Sequence, residues 1–193
     1  MKDSPSGSTP DAPPASPDAG TPDAARPDAP PDAPPPNVTF TTAKAFPTPN
    51  STLVDFTDAE LAGLGVTGTG FTRGFGGLIG NADAPMGNNF AGLSSAAAVA
   101  TFSFSTPIHA FGLSTTDIDF GNDNSVIVTV AGLDASSSVV ATFQRALTPN
   151  DTNAAENANA LFVGWKTAAN VVTVRVTIDQ SNSTLLDNMV FQH

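Results

Sequence analysis

The sequence contains no cysteine and no tyrosine, one tryptophan and two histidines. Without thiols there are no disulfide staples, thiolate–zinc sites or cysteine nucleophiles. The two histidines, His109 and the terminal His193, leave little for a zinc site, and a Ser-His-Asp triad would have to use His109. No Gly-x-Ser-x-Gly elbow is present to present such a serine. The lack of tyrosine removes the amphipathic ring most used at recognition surfaces. Charge is scarce as well: 13% of residues are Asp, Glu, Lys or Arg, about half the usual quarter. No apolar run approaches the roughly 18 residues of a membrane span. The opening Met1-Lys2-Asp3-Ser4-Pro5 lacks the apolar stretch of a secretory signal, and the expectation is a chain that starts after a removed signal.

The charge that is present is acidic, 18 acids against 7 bases for a formal net charge of −11. A surface of that sign repels phosphate backbones, so no nucleic-acid partner is expected. Anionic membrane surfaces are disfavoured for the same reason, and no direct membrane insertion is expected. Ala, Thr, Ser, Asn and Gly fill the space left by charge, a mixture that suits strands and turns more than helices.

Residues 1–36 are of low complexity. Twelve of the 17 prolines lie here, and Pro-Asp-Ala recurs at 10–12, 17–19, 22–24, 27–29 and 31–33. Beyond Met1 nothing offers an apolar side chain large enough to offset the entropy of ordering. Proline removes backbone donors and favours extended geometry, and the repeated Asp residues repel one another. The segment is expected to be a disordered spacer, spanning up to roughly 100 Å at about 3.1 Å per residue. It resembles the Pro-Asp-Ala stalks that follow the lipid-attached cysteine in lipoproteins of myxobacteria and their relatives. That resemblance implies an extracytoplasmic protein, secreted or held at the outer surface by a lipid on the parent protein; the cysteine itself is not in this chain.

Residues 37–193 read as one all-β domain. The expected strands are 38–43, 52–56, 99–105, 109–115, 126–131, 139–145, 160–166, 171–178 and 185–191. In Ala100-Thr101-Phe102-Ser103-Phe104-Ser105 one face is Ala and Phe against Thr and Ser, and Val172-Thr173-Val174-Arg175-Val176-Thr177-Ile178 alternates in the same way. A period of two marks a half-buried antiparallel strand. Turn chemistry separates the runs at Thr106-Pro107, 121–124, Gly132-Leu133-Asp134 and 149–151. Short, regularly punctuated strands indicate a sandwich or barrel. Asp58–Leu64 reads as one helical turn capped by Thr57 or Asp58. The span 63–92, with ten glycines in thirty residues, reads equally as bulged strands or as long loops.

The order of these elements is similar to that of bacterial extracellular jelly-roll modules of secreted and sorting-tag proteins, and more loosely to carbohydrate-binding-module sandwiches. The residues that carry the resemblance are Leu53-Val54-Asp55-Phe56, Val99 to Pro107 followed by Ala110-Phe111-Gly112-Leu113, and Val128 to Ala135. Leu161-Phe162-Val163-Gly164-Trp165 and the terminal Leu186-Asp187-Asn188-Met189-Val190-Phe191 complete it. It implies an antiparallel β-sandwich of jelly-roll type with eight or nine strands, often with one structural calcium joining the first and last strands.

Calcium takes six to eight hard oxygen ligands, and three places are rich in them. Asp187 stands within an otherwise apolar terminal strand, where an unpartnered buried carboxylate costs several kcal/mol; the alternative is that it faces solvent or caps a turn. The resemblance implies that Asp55, Asp58 or Glu60 joins it. The loop 117–124, with Asp117, Asp119 and Asp123, is a second place and also reads as a plain Asn/Asp hairpin turn. The segment 150–156 is a third. Asp117 and Asp119, two apart on one face of an extended segment, are the pair that a glycosidase reading would use. Trp165 is the one ring able to stack on a sugar, and it fits a core position equally well. The expectation is therefore a non-catalytic extracytoplasmic module that binds a glycan or cell-surface polymer, with calcium as its one admissible cofactor. The alternatives are a structural cell-envelope or matrix domain without a small ligand and, behind it, a glycoside hydrolase-type enzyme.

Overall fold

The computed structural model describes residues 37–49, 51–53, 56–75, 82–87, 89–117, 126–147, 160–179 and 184–193, all within the second of the chain's two units, Pro34–His193. The stalk expected at 1–36 lies outside the described residues. Among the described residues ten strands follow in order: β1 (Val38–Phe40), β2 (Ser51–Leu53), β3 (Val66–Thr69), β4 (Thr72–Phe75), β5 (Asn89–Leu93), β6 (Val99–Asp117), β7 (Ile127–Leu133), β8 (Val139–Ala146), β9 (Leu161–Ile178) and β10 (Thr184–Gln192). Between them are a 3-10 turn, Ala43–Ala45, and one short helix, α1 (Asp58–Gly63), whose first turn is capped by the Thr57 hydroxyl accepting from the Glu60 amide. Every pairing is antiparallel.

Two long strands organise the fold. β6 and β9 run 19 and 18 residues, and each serves two layers. The first layer is β3, the first part of β6, the second part of β9, β7 and β8. The second is β1, the first part of β9, the second part of β6, β10, β5 and β4, with β2 paired to the last residues of β10. The expected strands at 99–105 and 109–115 are thus one strand, as are those at 160–166 and 171–178. Pro107, which has no N–H to give to a ladder, sits where β6 leaves one layer for the other, and the β6–β9 register shifts between Ser103 and Ala110.

The layers pack face to face. Phe102, Val130, Val174 and Val176 of the first layer share one buried cluster with Phe111, Leu113, Val163, Trp165, Leu186 and Phe191 of the second. The ring pairs Phe102–Phe111 at 6.4 Å and Phe104–Phe191 at 5.1 Å cross the interface, in the offset and edge-on arrangements aromatic rings favour. On the first layer's outer face Thr101, Ser103, Arg175 and Thr177 reach solvent, so period two holds there. In β6 from Ala110 to Thr116 it does not, because both faces are buried. The outer face is covered by Phe46 and Ala84, which gather with Ala110, Ala160 and Phe162 into a second small core. Val172, expected on the core face, is half-exposed, and Val171 is buried.

The glycine-rich span holds β3, β4 and β5. Gly70 turns β3 into β4 at φ +81°, with the Val99 carbonyl standing where a Cβ would be, so only glycine fits. Phe71, just beyond, stacks on Phe102 at 5.5 Å.

Candidate functional site

Trp165 is fully buried. It stacks on Phe111 at 5.9 Å, and its six-membered ring lies against Gly132, where a Cβ would come within 2.7 Å of it. The expectation of Trp165 as a ligand-stacking residue is therefore corrected: an enclosed indole offers no face to a sugar. The physical reason is register, which pairs Trp165 with Phe111 across the two long strands and turns both into the interior.

Asp187 is fully buried too. It opposes Ser114 just before the β6–β10 register shifts, and Asn188 beside it takes φ +42°. The bend brings amides to the carboxylate. Oδ2 accepts from the Gly87 N–H at 2.5 Å and Oδ1 from the Asn188 N–H at 2.6 Å. The Asn188 side chain donates to the Pro85 carbonyl at 2.8 Å, so this bulge fastens the segment 82–87 over the second layer.

Of the acids expected near it, Asp58 is placed elsewhere. Asp58 is 89% exposed and pairs with Arg73 at 2.6 Å. Glu60 stands on the same short helix. Asp55, Asp119, Asp123 and the segment 150–156 lie outside the described residues, as does the side chain of Asp117. Among the described residues no three His, Cys, Asp or Glu side chains gather to hold a metal ion. The Gly87 and Asn188 amides supply partners for the Asp187 charge.

His109 is half-buried, its Nδ1 3.1 Å from the Ala169 carbonyl, and His193 sits edge-on to Phe191 at 5.6 Å. No helix among the described residues is long and apolar enough to cross a membrane.

A concavity lies at the end of the sandwich where the long strands change layers. It is an open groove of about 490 Å³, lined by Pro107 of β6, Asp134, Ala135 and Ser136 of the β7–β8 turn, Val140 of β8, and Ala169, Asn170 and Val172 of β9. Pro107, Val140, Ala169 and Val172 make a mainly apolar floor. Its rim is built by the turn. Asp134 Oδ1 accepts from the Ser136 amide at 2.9 Å, the Ser136 hydroxyl at 2.7 Å and the Ser138 amide at 2.9 Å. These donors, the Ser136 hydroxyl foremost and the Ser138 amide next, hold the Asp134 carboxyl below its usual range against the opposing effect of desolvation. Among the described residues Oδ2 has no hydrogen-bond partner, and neither does the exposed Asn170 side-chain amide. Asn37 donates to the Val140 carbonyl at 3.1 Å behind the groove. Sequence reasoning passed over these residues. The signal in the sequence is Asp134-Ala135-Ser136-Ser137-Ser138, an Asp followed by hydroxyls at turn spacing, which by spacing alone marks only a turn.

No family model matches the chain, and no curated protein matches it. Solved structures do, and carbohydrate-binding modules are among them. One is the CBM22-1–GH10 modules of Clostridium thermocellum endo-1,4-beta-D-xylanase 10B complexed with xylohexaose: 15% identity, TM-score 0.39, covering 72% of this chain and 27% of that one. Another is CsCBM6-3 from Clostridium stercorarium in complex with cellobiose: 12% identity, TM-score 0.36, covering 81% and 92%. A third is a DUF4465 family protein from Bacteroides caccae: 13% identity, TM-score 0.38, covering 82% and 100%. The chain spans 19% of the length of the enzymatically active domain of bacteriophage CBA120 tailspike protein 4.

Proposed function

We propose that the chain is a non-catalytic, extracytoplasmic β-sandwich module that binds a glycan or cell-surface polymer in the groove at the strand crossing. The observation that carries this reading is the groove's make-up: an apolar floor under two polar groups unengaged among the described residues, the Asp134 Oδ2 and the Asn170 amide. A pyranose has that same division, with C–H groups on its faces and hydroxyls around its rim. A chain that carries Pro-Asp-Ala repeats ahead of such a domain suits display away from a surface.

The Asp117 and Asp119 side chains of the glycosidase reading lie outside the described residues. Asp134 is the one carboxylate among the described residues that line the groove, and glycoside hydrolysis uses two carboxylates across the scissile bond, so the reading assigns this groove binding. A structural calcium at Asp187 would be compatible with this reading but is not needed for it, since the Gly87 and Asn188 amides already meet the carboxylate. The second reading, a structural envelope domain without a ligand, is favoured by one observation: the tryptophan is inside.

One pyranose of roughly a dozen heavy atoms, at about −0.3 kcal/mol each, gives about −3.6 kcal/mol and a Kd of a few millimolar. The test is a titration of the 15N-labelled chain with soluble oligosaccharides. Shifts are expected at Ser136, Val140, Asn170 and Val172, and Val172→Asp is expected to abolish them. Shifts that cluster elsewhere, or none at 20-fold excess over about 2 mM, would leave the structural reading standing.

A further inference from the structure

The groove has a sign as well as a shape. Of the eight described residues that line it, one is ionisable, and it is an acid; His109 and His193 stand beside it, each on the backbone carbonyl of a lining residue, Ala169 and Pro107. Asp134 is also held as a carboxylate by its setting. Its Oδ1 takes three donors from its own turn, within 2.7–2.9 Å, and this leaves Oδ2 as a negative acceptor with no partner among the described residues. Residues 37–193 hold 12 acids against 5 bases, a net charge of −7, and that sign draws cations to such an opening and repels anions.

On this basis we propose that the groove takes a pyranose bearing a protonated amine, a residue of a de-N-acetylated amino-sugar polymer. This rests on the glycan reading above and names its ligand class. The ring's C–H face lies on Val140, Val172 and Pro107, the ammonium meets Asp134 Oδ2, and a ring hydroxyl meets the Asn170 amide. A uronic acid is repelled by the same carboxylate. A neutral sugar uses the floor and gains nothing from the charge. A basic peptide shares the charge but not the rest. Docking by strand addition needs free backbone groups, and the Val140 carbonyl at this edge is taken by Asn37.

The experiment measures the affinity of the full chain, by the same amide titration, for three oligomers of equal length: glucosamine, N-acetylglucosamine and glucose. Trilysine is a fourth ligand. In low salt the glucosamine oligomer is expected to bind about three- to fivefold more tightly than the other two sugars, the range of a solvent-exposed ion pair, and added salt should erase the difference. Asp134→Asn keeps the Oδ1 acceptor that orders the turn and removes the charge, so the preference should vanish and the three sugars should bind alike. Asn170→Asp adds a second carboxylate at the rim without touching the turn, and it should widen the preference. Equal binding of all three sugars, or a preference that survives Asp134→Asn, overturns the amino-sugar assignment and leaves the glycan reading intact. Trilysine binding as tight as glucosamine oligomer replaces the sugar by a basic peptide. No binding of any sugar overturns both.

Discussion

Trp165 offers the sharpest test of the packing. It is the chain's one tryptophan and there is no tyrosine, so intrinsic emission reports on this position alone. The indole is sealed between Phe111, 5.9 Å away, and Gly132. Its emission is expected to be blue-shifted relative to free tryptophan and shielded from acrylamide, and glucosamine oligomers should leave it unchanged. Trp165→Ala removes the largest buried side chain and should cost about 3–5 kcal/mol. For a domain of this size that is a drop of roughly 6–20 °C in melting temperature. Gly132→Ala places a Cβ 2.7 Å from the ring, and also 3.1 Å from Val171, an overpacking worth about 1–3 kcal/mol. The two sites are coupled through the outer carbons of the indole. In a Trp165→Phe background those carbons are gone, so Gly132→Ala should cost less there than in the parent, by about 1 kcal/mol or more. Urea melts of the four proteins of this cycle supply the numbers. Emission quenched as freely as free tryptophan, or a cycle that is additive within about 0.3 kcal/mol, would refute the two-layer packing at its centre.

Three further outcomes are expected. Asp187→Ala should leave the Gly87 and Asn188 amides without their acceptor and cost roughly 2–6 kcal/mol; a chelator should not move the parent's melting temperature, and a fall of several degrees would place a cation at Asp187. The Asp134 carboxyl should titrate below the range of an ordinary aspartate, because the folded chain's donors favour the anion. Its folded pKa is depressed, so its contribution to stability is present above the unfolded value and is lost as pH falls through the folded one. Ser136→Ala should raise that pKa, and an NMR titration in which it stays fixed would discount the hydroxyl. Arg145 donates 2.7 Å bonds to the Thr41 and Phe162 carbonyls and so ties β8 to the chain following β1 and to β9. Arg145→Ala should cost about 1–3 kcal/mol and speed amide exchange in β1, and unchanged exchange at Thr39 would dismiss the tie.

Much of the fold is legible where one face of a strand is wet. Ala100 to Ser105 and Val174 to Ile178 announce themselves by alternation, because their outer faces are polar and exposed. The pattern goes silent from Ala110 to Thr116, where Phe46 and Ala84 cover the outer face and apolar or small residues stand on both sides. The helix at Asp58 shows through its Thr57 cap. β3 and β4 stay hidden because their glycines serve a turn at Gly70 and an approach of Phe90 to Gly74, neither of which leaves a periodic trace. The site was less legible still. Trp165 and Asp187 were singled out by residue type, and type does not tell which side of a strand faces in. The groove draws on three separate stretches, around Pro107, Asp134 and Asn170, that no spacing along the chain connects.

That scatter has a structural cause. Where β6 and β9 pass from one layer to the other, their pairing slips twice between Ser103 and Ala110. Across a slip the pleat cannot keep its side chains on either inner face, so Pro107, Ala169 and Val172 are left half-exposed instead of buried. The β7–β8 turn overhangs the same place, fixed by one carboxylate oxygen holding three donors. An apolar floor and a charged rim thus arise together from a topology in which two strands are shared between layers. A sandwich built of separate short strands, which the sequence pattern alone predicts, would end in loops there, with no continuous backbone to hold floor and rim in register.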